Sequence, residues 1–240
     1  MIKVIFFDLS DTLCDYAAAA AAALDSACEY TVNHTDAVTA GGLREAYLRE
    51  LQHAEEEADR WSASRLREGE VEAAHRLWER ALENCGVVNP ILAQAVACHY
   101  ELARMRALQL LPDALPTLHA LRERVRVGVV AEGRAGIVKE ELTLLGLRQL
   151  VSAVIIEGEV GYSKRDPQLF LHAVREAGCE PAQAAHVGDS LAGDVAPAHQ
   201  AGLVTVWVNR ADESPQPDLP TPDYTVPDLS AVPQLLLGEA

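Results

Sequence analysis

In the segment FFDLSDTL, Asp8 is a carboxylate that ends a short apolar run. Val4, Ile5, Phe6 and Phe7 are β-branched or aromatic and too few for a helix, which predicts a buried strand. A carboxylate at the carboxyl end of a central parallel strand lies in the crevice where open α/β sheets bind ligands. In isolation such an aspartate most simply caps the next turn. Three further segments weigh against that bland reading: VGVVAEG (127 to 133), VGYSKRDP (160 to 167) and HVGDSLAGD (186 to 194). They add Lys164, Asp189 and Asp194. A nucleophilic carboxylate, an ammonium and an acidic pair suit phosphoryl transfer, which depends on alignment and charge neutralisation more than on covalent chemistry.

The elements that must position these residues follow from periodicity. After Leu111 and Pro112, helix and strand patterns alternate. Helices are predicted over Ala114 to Arg122, Ile137 to Leu145, Pro167 to Ala177 and Val195 to Ala201. Strands are predicted over Val125 to Val130, Ala153 to Ile156, Ala184 to Val187 and Leu203 to Val208. Alternating units of this size predict an α/β fold with a doubly wound parallel sheet. From about Cys14 to Leu110 the character changes to Ala, Leu, Glu and Arg with helical spacing, and strand-like runs cease. Leu43, Tyr47 and Leu51 form one stripe; Val71, Ala74, Trp78, Ala81 and Leu82 a second; Ile91, Ala95, Val96, His99 and Leu102 a third. The run Ala17 to Ala23 starts the first helix, and Glu55, Glu56 and Glu57 read as a solvated face. The expected division is a core of residues 1–13 and 111–240 with a helical insertion of residues 14–110.

Composition excludes several classes. The 240 residues carry a formal net charge of −16 with only 20 Lys and Arg, which disfavours nucleic acid or an anionic membrane surface as partner. Cys14, Cys28, Cys85, Cys98 and Cys179 are odd in number, scattered and without a C-x-x-C, so neither a disulfide framework nor a zinc site is indicated. Asp8, Asp11 and Asp15 interrupt any leader-like apolar run, and no segment approaches the ~20 apolar residues that span a bilayer. A cytoplasmic location is the resulting expectation.

In order and spacing, the four segments resemble the four motifs of the haloacid dehalogenase-like (HAD) hydrolase superfamily. TVWVNR and DYTVPDLSAVPQLL resemble its last strands and tail, so the likeness spans nearly the whole chain. It implies a HAD-like Rossmannoid core with an inserted helical C1 cap that selects substrate. It also implies that Asp8 attacks phosphorus to form an aspartyl-phosphate, that Lys164 screens nucleophile and phosphoryl group, and that Mg²⁺ is held by Asp8, the Ser10 carbonyl and Asp189, with Asp194 behind them. The expected substrate is a small phosphorylated metabolite, with Ala131, Glu132 and Gly133 at the phosphoryl-binding segment.

Three positions depart from the pattern. The residue two after the nucleophile, usually the acid and base of the reaction, is Ser10. General acid-base catalysis contributes ~10²- to 10⁴-fold, so this change slows turnover without abolishing it. Where the family has Thr or Ser, commonly followed by Asn, this chain has Ala131 and Glu132. The lost hydroxyl removes a bond to a charged group worth ~1.5 to 3 kcal/mol, and Glu132 brings negative charge that Arg134 could offset. Arg165 replaces the proline that commonly follows the lysine, and either adds charge or faces solvent.

Two alternatives stand beside the phosphatase. One is a non-catalytic relative that binds a ligand or protein; the other is a 2-haloacid dehalogenase, whose aspartate displaces halide without a second acid. Schiff-base phosphonate cleavage is disfavoured because residues 14–110 contain no lysine, and sugar-phosphate mutases depend on the acid missing at Ser10.

Overall fold

The computed structural model describes residues 1–60 and 70–238, and side chains outside 55–74. The predicted Val71 and Ala74 stripe positions and the Glu55, Glu56 and Glu57 face lie outside the described side chains. The chain forms two compact units, Met1–Asp15 with Gln109–Ala240, and Tyr16–Leu108.

The first unit is built on six parallel strands: β1 (Val4–Phe7), β2 (Arg126–Ala131), β3 (Ala153–Ile156), β4 (Ala184–Gly188), β5 (Val204–Val208) and β6 (Tyr224–Val226). Their order is β3-β2-β1-β4-β5-β6, so the chain winds outward from β1 in both directions. That is the doubly wound arrangement, with β1 and β4 adjacent at the reversal; Phe7 pairs with Val129 on one side and Val187 on the other. The carboxyl ends of such neighbours open the crevice in which a ligand can sit. Val4, Ile5, Phe6 and Phe7 are all buried, as a strand covered on both faces requires. One face packs Phe6 and Val130 against Phe170, Leu169 and Val174. Phe170 belongs to α8 (Pro167–Glu176), whose start is capped by Asp166 accepting from the Gln168 N–H.

The second unit contains α1 (Tyr16–Val32), α2 (Ala40–Arg60), α3 (Glu70–Asn84) and α4 (Pro90–Ala107). Trp78, Tyr47, Leu43, Leu82 and Val96 form its core, with Ala23, Ala27, Ala93 and Ala97 buried on α1 and α4. Small residues let these two helices approach closely. The predicted α4 stripe is corrected in part: Ile91 is 83 % and Leu102 58 % exposed, and the buried face runs through Leu92, Ala93, Val96 and Ala97. The alanines, not the largest side chains, fix which face turns inward.

Returning to the first unit, α5 (Ala114–Arg122) leads into β2, α6 (Ala135–Leu144) follows it, and a single turn, α7 (Glu157–Val160), follows β3. After β4 the chain forms one π-helical turn, Leu191–Val195, then α9 (Ala196–Gln200); α10 (Val232–Leu237) closes the chain. Among the described residues, no helix is long and apolar enough to cross a membrane.

Candidate active site

Asp8 leaves β1 with its N–H donating to the Val187 carbonyl of β4 at 2.9 Å, so the strand pairing itself holds the backbone. Its side chain is buried. The Lys164 ammonium donates to Asp8 Oδ1 and also to Asp194 Oδ1 at 2.8 Å. Carboxylate oxygens of Asp8, Asp189 and Asp194 lie within 4.8 Å of one another. Residues distant in the chain thus converge beyond the carboxyl ends of β1 and β4. Three hard oxygen donors in this space suit a divalent cation such as Mg²⁺.

The turn after β4 explains why Asp194 can reach this point. Ser190 accepts from the Gly193 N–H at 2.9 Å and starts the π-helical turn, whose wide spiral places Asp194 back over the strand end. Such single π turns occur frequently at functional sites. Asp194 Oδ2 accepts from the Ser190 N–H at 3.1 Å, while Oδ1 accepts from the His186 Nε2–H and from the Lys164 ammonium, both at 2.8 Å. The close fit requires Gly188: a Cβ there would lie 2.2 Å from Asp194 Cγ. Asp189 is held by the Thr12 hydroxyl at 3.2 Å, and its carbonyl accepts from Trp207 Nε1 at 2.8 Å.

Burial pushes the Asp8 carboxyl well above its ordinary range, with Asp194 and Asp189 adding repulsion against the pull of Lys164. Asp189 is pushed up to about 6 by burial and by Asp194. For Asp194, burial acts in the same direction, but Lys164 and His186 overcome it and hold the group well below the usual carboxylate range. Lys164 keeps its proton: burial opposes the charge, and the carboxylates of Asp194, Asp8 and Glu132 outweigh it. His186 is driven the other way by burial. Its Nε2 donates to Asp194 and its Nδ1 lacks a protein partner, so the ring is a neutral Nε2–H tautomer. One ammonium among three carboxylates leaves a local negative excess.

The segment after β2 is organised by a residue that sequence reasoning missed. Glu157, the first residue of α7, accepts from the Gly133 N–H at 3.1 Å through one oxygen and from the Lys164 N–H at 2.9 Å through the other. Its carboxylate ties the turn after β2 to the loop carrying Lys164. The approach depends on Gly158, where a Cβ would meet the Gly133 carbonyl at 2.7 Å. Burial raises the Glu157 carboxyl, the two N–H donors oppose that rise, and Glu132 adds to it.

Asp8, Lys164, Asp189 and Asp194 are therefore brought together, as the sequence segments require. Ser10 is half-buried in the tight loop after β1, where Leu13 and Cys14 both donate to the Leu9 carbonyl. Ala131 is buried at the end of β2, Gly133 is half-buried with φ of 101°, and Glu132 is exposed. Arg134 and Arg165 are exposed too, and among the described residues no ion pair joins Arg134 to Glu132. Strand alternation would point Asp11 away from the site, but the chain has left the strand: Asp11 adopts φ of 57°, and its charge contributes to raising Asp189. Thr12, His186 and Trp207 also escaped sequence reasoning. Thr12 lies within the FFDLSDTL segment, His186 within HVGDSLAGD and Trp207 within TVWVNR, so each left a trace, though none of their contacts was legible.

A family model described as haloacid dehalogenase-like hydrolase matches residues 2–202. The chain is 32% identical over 232 residues to glyceraldehyde 3-phosphate phosphatase of Methanopyrus kandleri, covering 94% of this chain and 93% of that one. It is 26% identical to mouse N-acylneuraminate-9-phosphatase, over 98% and 94% of the two chains. Among solved structures, a 2-haloacid dehalogenase of Pseudomonas syringae superposes with a TM-score of 0.72 at 28% identity, over 98% of each chain. With the site geometry in agreement, the chain belongs to the haloacid dehalogenase-like hydrolases.

Proposed function

We propose that this hydrolase is a phosphatase of a small phosphorylated metabolite, with Asp8 as its nucleophile. The observation that carries the reading is the buried contact of Lys164 with both Asp8 and Asp194. Lys164 fixes the Asp8 carboxylate and supplies positive charge where a phosphoryl group would arrive. An Asp8 oxygen forms a bond to phosphorus as the ester oxygen leaves with the bond electrons, giving an aspartyl-phosphate. Water then attacks that phosphorus, releases inorganic phosphate and restores Asp8. Charge stabilisation and alignment are the main contributions asked of such a site.

Asp8, the Ser10 carbonyl and Asp189 are the proposed Mg²⁺ ligands, and Asp194, whose oxygens already accept from Lys164, His186 and Ser190, supports them from behind. When bound, the ion neutralises charge on the transferring group. Asp8 and Asp189 are both raised by burial and by the charge of Asp194, a condition that a cation relieves. Ala131, Glu132 and Gly133 form the proposed phosphoryl-binding segment, and the helical unit acts as the cap that selects substrate. The curated relatives named as phosphatases support this reading.

A second reading, halide displacement from a 2-haloacid, is compatible with Ser10 and is favoured by the likeness to a solved dehalogenase. Trapping separates the two. Incubation with acetyl phosphate and Mg²⁺ should label Asp8, with Asp8→Asn unlabelled and EDTA abolishing the signal. Absence of label and of phosphate release, together with metal-independent halide release from 2-chloropropionate, would replace the phosphatase by the dehalogenase.

A further inference from the structure

An open cleft of about 750 Å³ lies at the amino-terminal ends of β1, β2 and β3, the opposite end of the sheet from Asp8. Lys3 on its wall is five residues before Asp8 along an extended strand, which separates them by ~16 Å. The cleft therefore shares no wall with the acidic cluster.

Its charge opposes that of the molecule. Lys3, Arg122, Arg124 and Arg126 line it, with Glu123 as the lone carboxylate of the lining, in a chain whose net charge is −16. Elsewhere, Arg44, Arg80, Lys139 and Arg210 each pair with a carboxylate. Among the described residues, Lys3, Arg122 and Arg126 make no such pair, although 36 Asp and Glu are present in the chain. Arg124 is committed differently: its guanidinium donates to the carbonyls of Leu237 and Gly238 at 3.0 and 3.3 Å, which fixes one wall against the end of α10.

A structural reading accounts for part of this. Arg122 lies in the last turn of α5, where a cation complements the helix dipole. Lys3 and Arg126 have no such role. They precede or open parallel strands, and both line the cleft at this end of the sheet. The Arg126 N–H donates to the Lys3 carbonyl at 3.3 Å, so the two backbones are tied together there. Three unpaired cations, two at strand starts and one on the last turn of α5, attract anions, and guanidinium groups favour phosphate oxygens through paired donors. The volume falls within the range of small-molecule sites.

We propose that this cleft binds a compact polyphosphate anion, at a site separate from the acidic cluster around Asp8. The test is calorimetric titration with pyrophosphate of protein stripped of divalent cations, where the acidic cluster repels anions. One equivalent should bind, Asp8→Asn should bind equally, and Arg122→Ala/Arg126→Ala should bind at least tenfold more weakly. Both arginines are exposed, so the double variant should keep its melting temperature, which is checked in parallel. No binding at millimolar pyrophosphate, or equal binding by the double variant, overturns the proposal. Markedly tighter binding by Asp8→Asn, with the double variant unaffected, would also overturn it by placing the anion at the acidic cluster, where loss of a carboxylate relieves repulsion.

Discussion

Ser10 sits two residues after Asp8, and its hydroxyl is too weak an acid to protonate a departing alkoxide. An alkyl phosphate leaves as a strongly basic alkoxide, whereas an aryl or acyl phosphate leaves as a stabilised anion that needs little protonation. Activity with Mg²⁺ should therefore fall with leaving-group basicity, with sugar phosphates at least ~10²-fold slower than acetyl or p-nitrophenyl phosphate. Ser10→Asp should raise turnover of the alkyl substrates by ~10-fold or more and flatten that slope. A monoester panel on both proteins measures this, and a flat slope in the native enzyme would show that another group supplies the proton. Gly188 makes a steric demand of the same locality. Gly188→Ala would drive a methyl group into Asp194, so Asp194 must shift away from Lys164. Overpacking of this kind costs about 1–3 kcal/mol. Denaturant unfolding should show that loss, accompanied by weaker Mg²⁺ binding in calorimetry.

At the scale of elements, Glu157 joins two turns that carry site residues. Replacing it with Ala strands the N–H groups of Gly133 and Lys164, which bond a charged acceptor at about 1.5–3 kcal/mol each when shielded and less in this half-buried position. Glu157→Ala should lose about 2 kcal/mol of stability and lower kcat more than it raises KM, because Lys164 loses its anchor while the helical unit is untouched. Glu157→Gln, with one acceptor oxygen, should fall between the two proteins. Equal kcat in all three would leave Glu157 a purely structural residue. This tie was not legible beforehand because its partners lie 24 and 7 residues away and EGE carries no local signal of them. What was legible had strong periodicity: β1 and β3 keep their predicted bounds, and α5 runs from Ala114 to Arg122 as the pattern requires. Misreadings arise where tertiary packing overrides pattern. The helix expected over Val195 to Ala201 is shorter, Ala196–Gln200, because the chain spends Leu191–Val195 on the π turn that delivers Asp194. On α4, close packing of alanines turned Ile91 and Leu102 outward.

Across the whole molecule, a net charge of −16 sets a potential that any phosphorylated substrate must cross. Lys164 and the proposed Mg²⁺ act at contact distance, whereas the repulsion is long-ranged, so ionic strength separates the two. The Debye length falls from ~30 Å at 0.01 M salt to ~8 Å at 0.15 M, enough to screen distant carboxylates while leaving buried contacts almost untouched. At saturating, constant Mg²⁺, kcat/KM for p-nitrophenyl phosphate should rise about two- to fivefold over that range of NaCl, with kcat nearly constant, because steering alters encounter rather than chemistry. The sign is the informative part. Most enzymes acting on anions lose kcat/KM as salt rises, since their sites are wrapped in positive potential. A fall here would mean that local cations at the mouth of the site dominate the field of the acidic surface, and that exposed Arg134 and Arg165, which stand near Glu132 and Lys164 in sequence, are steering residues.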